Sequence, residues 1–213
     1  NMNSLYLSSW SNWTITLVGT NTLDVTTLKT KGTDAFFIND GATVTIKGDG
    51  TLNAYGRNSG SGINLGGTLT IKSGTINASA SKSLGGTDDG KVSGILIGTN
   101  GTLLVTGGDI TASGTKAGRN TRYGMYVRGR FIMTGGKMKV IGNDCQGLYT
   151  SGWFELSGGE MAVSSQVGLL GVVANGNSTV IKAPGELTVD ILDIAPGRTV
   201  TVEKNATLTV DGV

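Results

Sequence analysis

Few residues of this chain could do chemistry, and the first limit on them is that 213 residues contain no histidine. A Ser-His-Asp or Cys-His mechanism is therefore out of reach, as are zinc or copper sites built on imidazole. The single cysteine, Cys145, cannot form an internal disulfide. With no histidine to take its proton, it reads as a small packing residue in a turn rather than a nucleophile. Carboxylates are thinly spread, and Asp88 and Asp89 are the one adjacent pair. They sit in Gly85-Gly-Thr-Asp-Asp-Gly-Lys91-Val92, which nearly spells a phosphate-binding loop. It fails as one, because Val92 stands where a magnesium-binding hydroxyl belongs and two carboxylates would repel a phosphate. Asp88 and Asp89 suit a candidate Ca²⁺ loop instead, against the competing reading of a solvated acidic turn. Nothing else in the chain calls for a cofactor.

The cations are better organised. From Ile110 to Asn143 there is no acidic residue, while Lys116, Arg119, Arg122, Arg128, Arg130, Lys137 and Lys139 all fall inside. Strand parity turns Tyr126 and Tyr149 outward in the same region, with Trp153 outward one corner later. Exposed rings beside arginines suit a sugar chain: the ring faces take the sugar, and the guanidinium forks grip carboxylates in bidentate fashion. The candidate ligand site is therefore Tyr126, Tyr149, Trp153, Arg128 and Arg130. The rival reading is a tyrosine ladder that only stabilises the stack. Asp109, Lys137 and Glu160 alternate in sign at equivalent positions, as a structural charge ladder does. Glycoside hydrolysis needs two carboxylates across the scissile bond, and a lyase using Arg128 or Arg130 as base would want a matching Asp row. Neither is legible, so no catalysis is expected. Acidic residues on either side interrupt any cationic stripe, which disfavours nucleic acid. No apolar run is long enough to span a membrane.

The elements that must position these residues are announced by a phrase that returns along the chain. Its clearest copies are Gly67-Thr-Leu-Thr-Ile-Lys-Ser-Gly-Thr-Ile-Asn-Ala78, Gly101-Thr-Leu-Leu-Val-Thr-Gly-Gly-Asp-Ile-Thr-Ala112, Gly129-Arg-Phe-Ile-Met-Thr-Gly-Gly-Lys-Met-Lys-Val140 and Gly152-Trp-Phe-Glu-Leu-Ser-Gly-Gly-Glu-Met-Ala-Val163, with a looser copy from Gly41. A repeat of this length cannot bury its own apolar face and must stack on its neighbours. Within each copy apolar and polar residues alternate on both sides of a glycine corner, the period of a strand with one buried face. A third short strand precedes each copy, at Gly62-Ile-Asn-Leu, Gly94-Ile-Leu-Ile, Gly124-Met-Tyr-Val and Gly147-Leu-Tyr-Thr, with Ala35-Phe-Phe-Ile as an earlier equivalent. The expected fold is all-β: a single-stranded parallel β-helix solenoid with three short strands per coil, right-handed by the general preference of parallel connections. Glycine at 36 residues against 2 prolines fits corners that need positive φ and close backbone approach. One domain over 1–213 is expected, with an N-terminal coil at 12–40, regular coils at 41–176 and irregular coils at 177–213. No polar cap is legible at Val213, so the native chain is expected to continue past it. Inserts before each third strand pile onto one edge, where repeat proteins often bind.

Trp13-Thr-Ile-Thr-Leu-Val-Gly-Thr-Asn-Thr-Leu, Asp49-Gly-Thr-Leu and the repeated Gly-x-Leu-x-Ile-x-Gly-Gly-x-Ile resemble a family of secreted bacterial right-handed β-helices described as carbohydrate-binding, over roughly residues 12–165. The resemblance implies a non-catalytic protein, extracellular or at the cell surface, associated with plant polysaccharides, including acidic ones, and with Ca²⁺. The closing Ala195-Pro-Gly-Arg-Thr-Val-Thr-Val-Glu-Lys-Asn-Ala-Thr-Leu-Thr-Val is similar to segments of bacterial surface adhesins. The leading expectation is a polysaccharide or cell-surface glycan as partner. The rival is a structural role, as an adhesin stalk or as a subunit that stacks on itself end to end into a filament.

Overall fold

The structure is a computed structural model that describes residues 3–27, 33–57, 60–80, 92–115, 122–165, 172–174 and 178–211. Asp88 and Asp89, and Lys116 and Arg119 of the basic stretch, lie outside the described residues. All regular structure among the described residues is β-strand, and the strand ladders run parallel. The all-β, parallel architecture expected from the repeat is present.

One sheet stacks Leu5–Leu7, Phe36–Ile38, Ile63–Leu65, Val92–Ile97, Arg122–Val127, Gln146–Thr150, Val172–Ala174 and Leu192–Ile194 in that order. The other sheet contains two ladders. The first runs through Asn12–Leu17, Thr43–Gly48, Thr68–Ile71 and Thr102–Val105, and the second through Thr20–Asp24, Thr51–Gly56, Thr75–Ala80 and Asp109–Thr115. They join because Arg130–Asn143 and Trp153–Ser165 each run through both. Beyond them, Ser178–Ile181 and Val200–Val202 extend the first ladder, while Glu186–Val189 and Thr207–Val210 extend the second.

Register follows from the alternation. Leu69, Leu103, Phe131 and Phe154 stand opposite one another, as do Ile71, Val105, Met133 and Leu156. Ile76, Ile110, Met138 and Met161 form a third column, and Ala78, Ala112, Val140 and Val163 a fourth. All sixteen are buried, as period 2 predicts. The Phe131 and Phe154 rings stack 4.9 Å apart within the core. Each fully buried Leu, Ile, Phe or Met contributes roughly 1.5–3 kcal/mol relative to exposure. One-residue slippage would turn an entire column to solvent, which locks the pairing.

The glycine corners behave differently from one another. Gly74, Gly108, Gly136 and Gly159 all take positive φ, at 92°, 86°, 85° and 80°. A Cβ on Gly108 would also lie 2.7 Å from the Gly74 carbonyl oxygen, so the stack itself excludes a side chain there. At Gly135-Gly136 and Gly158-Gly159 the expected break between two strands is bridged: the strand continues, with register shifts between Met133 and Thr134 and between Thr134 and Lys137. A bulge of this kind redirects the strand while keeping most ladder hydrogen bonds.

Candidate functional site

Arg128 and Gly129 form the turn between the strand Arg122–Val127 and the strand Arg130–Asn143, which Arg130 opens. The turn is anchored to the preceding repeat: Arg128 N–H donates to the Ile97 carbonyl at 2.8 Å and Arg130 N–H to the Gly101 carbonyl at 2.9 Å. Trp153 N–H donates in turn to the Gly129 carbonyl at 2.9 Å. Close approach is what makes glycine necessary here, since a Cβ on Gly152 would lie 2.1 Å from the Gly129 oxygen. The register then places Arg130 directly opposite Trp153, both on the outward side. Arg130 Cζ lies 5.6 Å from the centroid of the Trp153 ring, within cation–π range. Trp153 remains 40% exposed, and both arginine side chains are exposed.

A depression of about 400 Å³ opens at this corner, lined by Thr99, Asn100, Arg128, Arg130, Ser151 and Trp153 with the intervening glycines. Among the described residues no carboxylate lines it, and the nearest one in the hydrogen-bond network is Asp40, whose Oδ2 accepts from Asn100 Nδ2 at 3.2 Å. Among the described residues the ion pairs are Lys137–Glu160 and Lys182–Glu155, both at 3.0 Å, so neither Arg128 nor Arg130 is neutralised by an acid there. The site can accept an anionic group in two guanidinium forks and lay a flat ring on the indole.

The two tyrosines sit elsewhere. Tyr126 and Tyr149 are opposite one another, and their parity points away from the apolar core. Tyr126 is nonetheless only 3% exposed, which corrects the expectation of an open ring face. Its ring stacks on Tyr123 at 5.0 Å and meets Tyr149 edge-on at 5.2 Å, while Tyr123 and Tyr149 are 5.3 Å apart. Tyr149 is half-buried in the same cluster. Neither lines the arginine corner. Strict alternation would have sent Tyr123 inward, but the ladder skips Gly124, where a Cβ would lie 2.7 Å from the Ile141 oxygen, and the parity resets. Burial, then the neighbouring Tyr126, Tyr149 and Cys145, push the Tyr123 hydroxyl up to about 12. The structure thus unites Arg128, Arg130 and Trp153 and assigns Tyr126 and Tyr149 to a packed cluster.

The basic stretch divides as well. Lys137 is on the second ladder, opposite Asp109 on one side and Glu160 on the other, and its Nζ is 3.0 Å from Glu160 Oε2. The hydrogen bond to Glu160 and that residue's charge raise the Lys137 ammonium above its ordinary range. The register extends the column to Glu186. Both partners of the pair are exposed, so its contribution to stability is small. Trp10 is a further aromatic that alternation could not find, because it sits outside a strand; it is exposed, and its ring lies 2.9 Å from where a Cβ on Gly41 would be.

Among the described residues no group of three or more acidic or sulfur side chains could hold a metal ion. Compared with protein-family models, curated proteins and solved structures, the chain matches none of them.

Proposed function

We propose that this chain is a non-catalytic, extracellular binding protein for an anionic polysaccharide, and that its ladders are the faces of a single-stranded parallel β-helix with three strands per coil. The observation that carries the reading is the convergence of Arg128, Arg130 and exposed Trp153 on one depression with no carboxylate among its described lining residues. Guanidinium groups bind carboxylates through two parallel charge-assisted hydrogen bonds, and an indole face covers the C–H face of a sugar ring. The absence of carboxylates from that lining supports binding over glycoside hydrolysis, which requires a pair of them. Affinity electrophoresis through gels of a polyuronate and of a neutral glucan tests it. Retardation is expected in the polyuronate gel only, diminished by salt and lost in the combined Arg128→Ala, Arg130→Ala, Trp153→Ala variant. Arg130→Lys retains the charge without the fork and should recover only part of it. Chelator should leave the retardation unchanged; loss with chelator would return Asp88 and Asp89 to the ligand set. Free migration of the parent chain overturns the reading.

A second reading, a self-stacking structural subunit, is favoured by the uncovered ends of the core columns. Trp13 stands opposite Val44 yet is 51% exposed, and Val202 and Val210, opposite Ile181 and Val189, are exposed at the other end. Sedimentation that changes with concentration would support it, and a monomer at every concentration would sink it.

A further inference from the structure

A second depression, of about 310 Å³, lies among Ser4, Leu5, Tyr6, Thr33, Asp34 and Phe37. Tyr6 and Phe37 stand opposite each other on adjacent strands, and their rings stack 5.1 Å apart with only 13° between their planes. The Tyr6 hydroxyl accepts a hydrogen bond from Asn39 Nδ2 at 2.9 Å, which fixes the ring's direction. Phe37 covers one side of the Tyr6 ring, and the residue is still 62% exposed. A ring face is therefore presented to solvent beside the depression.

Asp34 supplies the charge. Its Oδ1 accepts the Ser61 N–H at 2.6 Å and its Oδ2 accepts Asn64 Nδ2 at 2.9 Å, so both oxygens are held in place by neutral donors. Neither ion pair among the described residues includes it. Burial raises its pKa despite those two hydrogen bonds, and among the described residues no cation pairs with it. A neutral hydroxyl ligand would satisfy lone pairs but leave this charge uncompensated. A cation would compensate it, and would also gain from the negative face of the exposed Tyr6 ring.

We propose that the Tyr6–Phe37–Asp34 depression is a binding site for an organic ammonium group, with Asp34 as counter-ion and the Tyr6 ring as cation–π platform. The same chemistry is carried by a choline head group, an amino sugar and a lysine side chain. The site does not depend on the polysaccharide reading, and neither Arg128, Arg130 nor Trp153 contributes to it.

Calorimetric titration of the full chain with choline, glucosamine and α-acetyl-lysine amide, each beside its uncharged counterpart (dimethylbutanol, glucose and α,ε-diacetyl-lysine amide), tests the proposal. At least one cation should bind about tenfold or more tighter than its counterpart, and the arm that responds names the source. Asp34→Asn should weaken that cation by about tenfold or more. Because Asp34 also holds the Ser61 N–H, Tyr6→Leu is the companion variant: the ring is exposed, so its removal should leave the far-UV signal unchanged, and the same cation should bind several-fold more weakly. Binding of no cation, equal binding of a cation and its counterpart, or unchanged affinity in a folded Tyr6→Leu chain each overturns the proposal.

Discussion

Tyr123 shows how one side chain can be redirected by a neighbour without a side chain. The skipped pairing at Gly124 brings its ring over Tyr126 and Tyr149, and the buried hydroxyl holds its proton up to about 12. In the unfolded chain the same hydroxyl releases its proton near the ordinary value of 10.0. The folded state therefore binds more protons between those values, and stability falls as pH rises through that interval. Tyr123→Phe has no proton to lose. Alkaline unfolding followed by far-UV circular dichroism should show the parent chain losing more stability than the variant as pH rises from 10 toward 12. Parallel loss in the two chains would contradict the assignment. Arg130 presents the opposite case: nothing redirects it, and its placement beside Trp153 follows directly from both residues succeeding the leading glycine of their repeats.

At the scale of the element, the ladder is only as continuous as its glycines allow. Gly108 needs its glycine twice, for a φ of +86° and for a neighbouring carbonyl 2.7 Å from where a Cβ would be. Gly19 needs it once, because its φ is +59° but nothing lies within 4 Å of a Cβ. Gly19→Ala should thus cost only the left-handed backbone penalty, about 1–2 kcal/mol. Gly108→Ala should cost more than that, because the repeats on either side must separate to admit a methyl group. Urea unfolding of the two variants measures the difference, and equal costs would mean that stacking distance places no demand on the corner. The same spacing explains why Arg128-Gly129-Arg130 can bring two guanidinium groups to a single depression: the turn is pinned to the repeat before it by backbone hydrogen bonds from both arginines.

Over the whole molecule, stability is passed from each repeat to the next, and a repeat covered on one side only is the weaker. Ile194, Val202 and Val210 are exposed although they continue buried columns. Amides of the strands Val200–Val202 and Thr207–Val210 should therefore exchange with solvent faster than those of Leu103–Val105 and Phe131–Met133, which have neighbours on both sides. Hydrogen exchange read by mass spectrometry resolves this, and uniform protection would point to cooperative unfolding of the whole stack instead. If the second reading is right, concentrating the chain should slow exchange at the Val202 and Val210 end.

What the sequence by itself determined is the sidedness of each strand. Alternation is a local property of extended backbone, so the buried columns from Leu69 to Val163 and the Asp109, Lys137, Glu160 ladder could be read from residue spacing alone. Aligning the repeats also brought Arg130 and Trp153 together, because parallel register carries equivalent positions onto one another. Only the tertiary structure decided which outward side chains stay open. Tyr126 is covered by rings from its own and the adjoining strand, a matter of contacts that alternation does not encode. The Tyr6–Phe37–Asp34 depression was illegible for a related reason. It is assembled in the irregular first turns, where Asp34 is oriented by Ser61 and Asn64 from the next repeat, and no periodic signal links residues that meet only once.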